Sequence, residues 1–303
     1  MIITRQESLN YQEVWENIVK VTANYLTEHG IKTMVLGVSG GLDSTVSAAI
    51  CKEVNKRTGI PLIGISLPAS TNTSDENESA SFVGEEFCNE FQINNIQGIY
   101  EQVENVCGYI EPVDSAIAKG NIKVRLRMII LYDIASKRNG IVIDTDNLTE
   151  HYTGFFSING DVGDFNPLGN LWKTEVYGLA QWLLDNVYKG SKALKAAIDI
   201  TPTDGNGVSS SDMDQIMPGF NYSDVDTILR AWVPLNERIK EYYLKDGINQ
   251  KGTGLASLCK RYGEENVMRV INRNIRSEFK RLPHPIPVDC FRGTIEKVRN
   301  IEI

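Results

Sequence analysis

The feature that most constrains this chain is the corner at Ser39-Gly40-Gly41. Met34 to Val38 is a short apolar run, and Asp43 to about Lys56 then has helical spacing before Gly59-Ile60-Pro61 ends it. A run that short between turn signals reads as a buried strand. A glycine-rich turn from a buried strand into a helix belongs to a parallel α/β sheet. The alternation continues downstream. Leu62 to Leu67 reads as a second strand, and Ser70 to Phe87 as a polar loop that becomes an acidic amphipathic helix. Ile93 to Ile99 reads as a third strand, Ile117 to Lys137 as a long helix, and Ile141 to Ile143 as a fourth strand.

The expected fold is therefore α/β: an open parallel sheet, Rossmann-like, with helices on both faces. An amphipathic helix from about Asn10 to Glu28 precedes it, with Gly30 as its C-cap. After Asp144 the pattern gives way to a loop-rich stretch, Thr145 to Gly169. Helical segments follow at Lys173 to Asn186, Tyr222 to Leu229 and Asn236 to Leu244. With no convincing linker, the 303 residues read as one domain: an N-terminal helix over 1–30, a core over 33–204 and helical additions over 205–303.

Composition excludes several classes. A formal charge of −8 argues against a nucleic-acid binder, which shows a basic face. The cysteines Cys51, Cys88, Cys107, Cys259 and Cys290 are dispersed with no Cys-x-x-Cys pair, as expected of reduced thiols in a cytoplasmic protein. The N-terminus lacks a basic-then-apolar signal pattern, and no apolar run approaches the roughly 20 residues that span a bilayer. Neither a membrane nor a nucleic acid is an expected partner.

At the corner, a helix N-terminus offers unpaired N–H groups and partial positive charge to a phosphate. Gly40 and Gly41 let the backbone approach an anion, and Ser39 and Ser44 add hydroxyls. The carboxylate of Asp43 would repel a bare phosphate. It fits if Mg²⁺ lies between them, because Mg²⁺ takes one or two carboxylates together with phosphate oxygens. The Walker pattern G-x-x-x-x-G-K-[ST] is absent.

Ser-Gly-Gly-x-Asp-Ser directly after an apolar strand resembles the pyrophosphate-binding loop of the ATP pyrophosphatases. Three later stretches narrow the resemblance. Asn121 to Arg127 opens the long helix. Thr145-Asp146-Asn147-Leu148-Thr149-Glu150 runs on through Gly160-Asp161-Val162-Gly163-Asp164 to Trp172-Lys173, and Pro202-Thr203-Asp204 follows. As an ordered set these look like the NH₃-dependent NAD synthetases over most of Thr33 to Asp204, with a weaker match at Lys280-Arg281 and the prolines beyond.

The resemblance implies amidation of deamido-NAD by ammonia, with ATP as co-substrate and Mg²⁺ as cofactor, in a homodimer. It implies that Gly37, Val38, Ser39, Gly40, Gly41, Leu42, Asp43 and Ser44, with Thr145, Lys173 and Thr203, surround ATP. Asp43 and Glu150 would hold the metal. Arg125, Asp164 and Lys280 would contact deamido-NAD, and Asp164 or Asp161 would take a proton from ammonium. Lys173 would offset charge at the attacked α-phosphate. The nicotinate carboxylate would form an acyl-adenylate, releasing pyrophosphate, and ammonia would then displace AMP.

Three positions depart from the pattern. The Gly160–Asp164 loop is one residue shorter than usual, Ile158 stands where a lysine is common, and Phe279 where a histidine is common. No protein nucleophile is required, which agrees with the lack of a Cys–His or Ser–His pairing among His29, His151 and His284. His29 reads as a helix-end residue, His284 as a loop residue. The synthetase pattern begins near Thr33, leaving no room for an attached glutaminase, so free ammonia is the expected donor. Two rivals stay open: another ATP pyrophosphatase, such as a GMP-synthetase subunit or a tRNA-thiolating enzyme, and a nucleotide sensor that has lost its chemistry.

Overall fold

The structure, a computed structural model, describes residues 9–111, 115–203, 206–209, 211–250, 252–282, 288–289 and 294–295. Asp204, His284, Cys290 and the prolines between residues 282 and 288 lie outside these residues.

Helix α1 (Tyr11–Glu28) begins at Asn10, whose side chain accepts from Glu13 N–H, and is capped by His29, one residue before the expected Gly30, which follows with φ +65°. Next come β1 (Thr33–Gly37), α2 (Leu42–Thr58), β2 (Leu62–Ser66), α3 (Ser74–Phe87), β3 (Glu90–Ile93), α4 (Gln97–Ile110), α5 (Ala116–Lys137) and β4 (Gly140–Ile143). The four strands are all parallel in the order β3-β2-β1-β4. The chain steps outward from β1 to β3 and then crosses to the other side of β1. The strand order therefore reverses between β1 and β4, and ligands of open α/β sheets bind at the carboxyl ends of strands beside such a switch point. The Ser39-Gly40-Gly41 corner lies there.

The two faces of the sheet follow the two-residue period of strands. Met34, Leu36 and Leu62 pack against α1, α2, α3, α7 (Lys173–Asn186) and α8 (Lys192–Asp199). Val35, Ile63 and Ile65 face the opposite way, onto α4 and α5 through Ile96, Tyr100, Leu126 and Leu131. Helices cover both faces, as the alternation predicts.

The expected third strand at Ile93 to Ile99 is displaced. The strand is Glu90–Ile93, a half-exposed edge, and Gln97–Ile110 is a helix instead. Ile96, Tyr100 and Val103 recur every three or four residues on the core side, the helical period that the three-residue spacing of Ile93, Ile96 and Ile99 begins. The loop-rich stretch after Asp144 also holds a short helix, α6 (Leu148–Thr153), bounded by Asn147 and a left-handed Gly154.

The C-terminal third adds α9 (Asp212–Ile216), α10 (Tyr222–Trp232), α11 (Glu237–Asp246), α12 (Gly254–Tyr262) and α13 (Glu264–Arg276). Val225, Ile228, Leu229, Leu255, Val267 and Val270 form a separate core there, and Leu148, Tyr152, Phe155 and Trp172 pack against it or belong to it. These helices thus pack on the elements that follow β4. A 3₁₀ turn (Glu278–Arg281) and a small antiparallel ladder, β5 (Val288–Asp289) with β6 (Thr294–Ile295), come last.

At the corner Gly40 has φ +82°, and a Cβ there would lie 2.6 Å from Ala80 N and 2.7 Å from Glu76 O in α3. Gly59, which ends α2, has φ +76° but open space around it. Both Gly40→Ala and Gly59→Ala incur the left-handed penalty of roughly 1–2 kcal/mol, and only Gly40→Ala also forces α3 away. Thermal and denaturant unfolding should show the larger loss for Gly40→Ala. Equal losses would mean that α3 does not press on the corner.

Candidate active site

A cavity of about 780 Å³ opens along the carboxyl edge of the sheet, over the corner between β1 and α2. Its size lies within the usual range for small-molecule sites, roughly 300–1,000 Å³. Gly37, Val38, Ser39, Gly41, Leu42, Asp43 and Ser44 line one end, joined by Thr145, Glu150, Lys173 and Thr203. Arg125, Asp161 and Lys280 line the cavity as well. Gly40 turns the loop from behind, where its carbonyl accepts from the buried Ser79 hydroxyl at 2.7 Å. Ser39 and Ser44 hydroxyls are bonded to each other at 3.0 Å, and Ser39 Oγ also accepts from Gly41 N–H. The two hydroxyls therefore brace the loop, and the anion-binding capacity rests on the backbone N–H groups of the helix start.

Asp43, in the first turn of α2, forms a short ion pair with Lys173, whose side chain is 2% exposed. Glu150 Oε1 lies 3.6 Å from the same ammonium. The sequence of α6 explains why that oxygen points there. Asn147 caps the helix by accepting from Glu150 N–H at 3.1 Å, and Glu150 Oε2 accepts from Asn147 N–H at 3.0 Å. This capping box commits one carboxylate oxygen and turns the other toward Lys173. Asn147 also donates to Asp43 Oδ1 at 3.1 Å, tying α6 to α2. The fully buried Asn147 had no role from sequence, although the Asn-x-x-Glu spacing is a recognisable cap signature.

Burial pushes the Glu150 carboxyl up to about 8, against the pull of Lys173. Burial alone would lower Lys173, but Asp43 and then Glu150 hold its ammonium well above the usual lysine range. The lysine also lies 5.3 Å from the centre of the Tyr222 ring, and Tyr222 donates to the buried Asp212 at 3.3 Å. Neither residue was singled out in the sequence, because both come from the helical additions.

Elsewhere on the cavity wall Arg125 donates to the Ile158 carbonyl at 3.2 Å, while Arg127 turns to the Leu67 carbonyl and Asn206. Their hydrogen bonds differ, but both arginines line the cavity despite standing two residues apart on α5. Asp161 Oδ1 accepts from Ser157 N–H at 2.7 Å, and burial raises its carboxyl. Asp146, which also lines the cavity, is raised further, by burial first and then by the charges of Asp144 and Asp161. Lys280 donates to the Gly154 and Phe156 carbonyls, closing that wall. Thr203 donates to Glu76 in α3, a cavity-lining carboxylate the sequence did not suggest.

Asp164 is placed elsewhere. It is exposed, and its carboxylate accepts from Val142 N–H at 2.8 Å and Tyr132 OH at 3.2 Å, while its own N–H donates to the Val142 carbonyl. It serves as a strand-like partner along the outer side of β4 and does not line the cavity. His151 stacks parallel to Phe156 and likewise lies off the cavity wall.

Because Glu150 holds its proton more tightly folded (about 8) than at its ordinary value of 4.5, its contribution to stability is full below pH 4.5 and is lost as pH rises through 8. The stability difference between the wild-type chain and Glu150→Gln should therefore shrink or reverse over that window. Thermal melts in the presence of a chelator measure it. A difference independent of pH would show that folding leaves the proton affinity of Glu150 unchanged.

The family described as NAD synthase matches residues 14–283. The NH(3)-dependent NAD(+) synthetase of Methanocaldococcus jannaschii is 30% identical over 223 residues, covering 73% of this chain and 81% of the relative. That of Chlorobium phaeovibrioides is 30% identical over 276 residues, covering 90% and 88%. Among solved structures, the NMN synthetase from Francisella tularensis superposes with a TM-score of 0.70 at 26% identity, covering 92% of this chain and 99% of that one. The NH3-dependent NAD synthetase from Campylobacter jejuni shares the fold, with a TM-score of 0.63 at 24% identity. Among the described residues no helix is long and apolar enough to cross a membrane. The match over most of the chain, together with these relatives, shows that the chain is an enzyme of the NAD synthase family.

Proposed function

We propose that the chain amidates deamido-NAD with ammonia, using ATP and passing through an acyl-adenylate. The observation that carries this reading is the convergence of Asp43, Glu150 and Lys173 beside the corner, in the cavity that Arg125, Asp161 and Lys280 also line. Asp43 and Glu150 both line the cavity and meet at the Lys173 ammonium, and such a pair of carboxylates suits Mg²⁺. When bound, the ion would neutralise charge on the departing pyrophosphate.

The residues of the chain divide the remaining work. A carboxylate oxygen of the pyridine ring attacks the α-phosphorus, and the bond to the β-phosphate oxygen breaks. Lys173 stabilises the negative charge that builds on the transferred phosphoryl group. The N–H groups of the corner and the Thr203 hydroxyl orient the phosphates. Ammonia then attacks the acyl carbon and AMP leaves. Asp161, with Asp146 near it, is the base that takes the proton from ammonium, since burial makes each carboxylate more basic. With Asp164 off the cavity wall, that role falls to Asp161. Arg125 and Lys280 balance the phosphates of the dinucleotide.

A second acceptor is favoured by one comparison. The Francisella structure carries the name NMN synthetase, and Ile158 puts an apolar side chain where the family often has a lysine. On that reading the mononucleotide, not the dinucleotide, is amidated. Comparing kcat/KM for nicotinate mononucleotide and deamido-NAD decides between them.

The homodimer is proposed on the apolar face of α4 and α5. Val106, Tyr109 and Ile110 of α4 and Ile117 and Ile129 of α5 are 60–92% exposed, and exposed apolar surface of this kind marks interaction sites. Ile129→Asp should turn a dimer into a monomer in sedimentation velocity. A wild-type chain that already sediments as a monomer would remove this part of the proposal.

The first experiment incubates the chain with Mg·ATP, deamido-NAD and ammonium chloride, and quantifies NAD⁺, AMP and pyrophosphate together. Equal yields of the three are expected. Lys173→Met and Asp43→Asn should each lower kcat by about a hundredfold or more, measured on folded protein, because each also breaks a buried ion pair. AMP and pyrophosphate without an amide would show adenylation of another acceptor. Nucleotide binding with no turnover would favour the sensor.

A further inference from the structure

The structure assigns a positioning role to Asp226, a residue of the helical additions far from the corner in sequence. We infer that it fixes Glu150 and Lys173 together through the Thr149 hydroxyl, and that Mg·ATP binding depends on this strap. The inference rests on the reading above, in which those two residues hold Mg·ATP.

Asp226 lies on α10 and is 1% exposed. Its Oδ1 accepts from the Thr149 hydroxyl at 2.5 Å. Its Oδ2 accepts from the Thr174 hydroxyl at 2.7 Å and from Thr174 N–H at 3.1 Å. Thr149 precedes Glu150 in α6, and Thr174 follows Lys173 in α7, so one carboxylate grips the neighbours of both groups.

The Thr149 hydroxyl gives the strap its direction. A hydroxyl has one proton and two lone pairs. The proton goes to Asp226, which leaves a lone pair for Lys173 N–H, and that N–H donates to Thr149 Oγ1 at 2.9 Å. Lys173 and Thr174 begin α7, where N–H groups have no partner within the helix. Asp226 therefore acts as a cap supplied by another element, and its negative charge suits a helix start. One turn on, Arg230 binds Glu175 at 2.9 Å and donates to the Thr174 hydroxyl at 3.4 Å, extending the same contact. The polar side of α10 is thus built onto the first turn of α7, while Val225, Ile228 and Leu229 fill the apolar core.

A residue that merely holds helices together should affect stability alone. A positioning residue should also change the affinity for the metal–nucleotide pair. The test measures binding of the Mg²⁺ complex of α,β-methylene ATP by calorimetry, with melting temperatures recorded alongside. Asp226→Asn and Thr149→Val should each weaken binding by about tenfold or more, the usual scale for groups that orient metal ligands. The double variant should be no weaker than the poorer single one, because both break the same strap. Thr149→Ser, which keeps the hydroxyl, should restore most of the affinity lost in Thr149→Val. Val225→Ala, a core truncation on the same helix, should lower the melting temperature and leave affinity within about twofold of wild type.

Asp226→Asn and Thr149→Val variants that melt lower but bind like wild type would overturn the proposal. If Asp226→Asn does not fold, the contrast between Thr149→Val and Thr149→Ser decides it. A wild-type chain that binds the analogue but makes no amide would refute the reaction while leaving the strap to be judged on affinity. A wild-type chain that binds no analogue would refute both.

Discussion

The site depends on a buried charge imbalance. One ammonium, Lys173, lies against two carboxylates, Asp43 and Glu150, in a place with little water. Burying charge is costly unless partners and hydrogen bonds compensate. Here the compensation is partial, and burial raises the Glu150 carboxyl to about 8 despite the pull of Lys173. With that proton in place the cluster is balanced; when it leaves, the cluster is short of positive charge, the state that would suit a divalent cation. The fold keeps the cluster together by using Glu150 Oε2 and Asn147 in a helix cap, so the carboxylate cannot turn away.

Each member of the cluster is held by a different element. Asp43 comes from the first turn of α2, Glu150 from α6 and Lys173 from the start of α7. The sheet alone does not bring α6 and α7 together. Direct contacts do, among them Lys173 N–H to Thr149 Oγ1 and the stack of Tyr152 on Trp172 at 5.7 Å, and Asp226 of α10 reinforces them by bonding to both elements. The helical additions thus have a physical reason to accompany a nucleotide-binding sheet: they close the side of the site that the parallel strands leave open.

Much of the sheet was legible because its signals are local. Met34 to Val38 is apolar throughout and is followed by glycines, so strand, turn and helix are specified by neighbouring residues. Where the signal was ambiguous the reading slipped. Ile93, Ile96 and Ile99 are three residues apart, no strand period, and Ile96, Tyr100 and Val103 share a helical face that packs beside α5. Asp164 shows a different gap. Its place in a glycine-rich loop suggested a ligand contact, but the unpaired outer side of β4 took its carboxylate as a substitute strand partner. A buried or edge backbone group needs a hydrogen bond as much as a ligand does, and sequence spacing does not distinguish the two demands.

By itself the sequence determined the parallel α/β class, the glycine-rich strand-to-helix corner and the family, because these follow from short-range patterns of apolar residues, glycines and ordered motifs. It also named Asp43, Glu150 and Lys173 as a set. Only the tertiary structure decided that Asn147 joins them, that Asp161 and Asp146 face the cavity while Asp164 does not, and that Asp226 reaches across from α10. Those outcomes depend on which lone pair or N–H is left unpaired once distant elements have packed, and no local stretch of sequence carries that information.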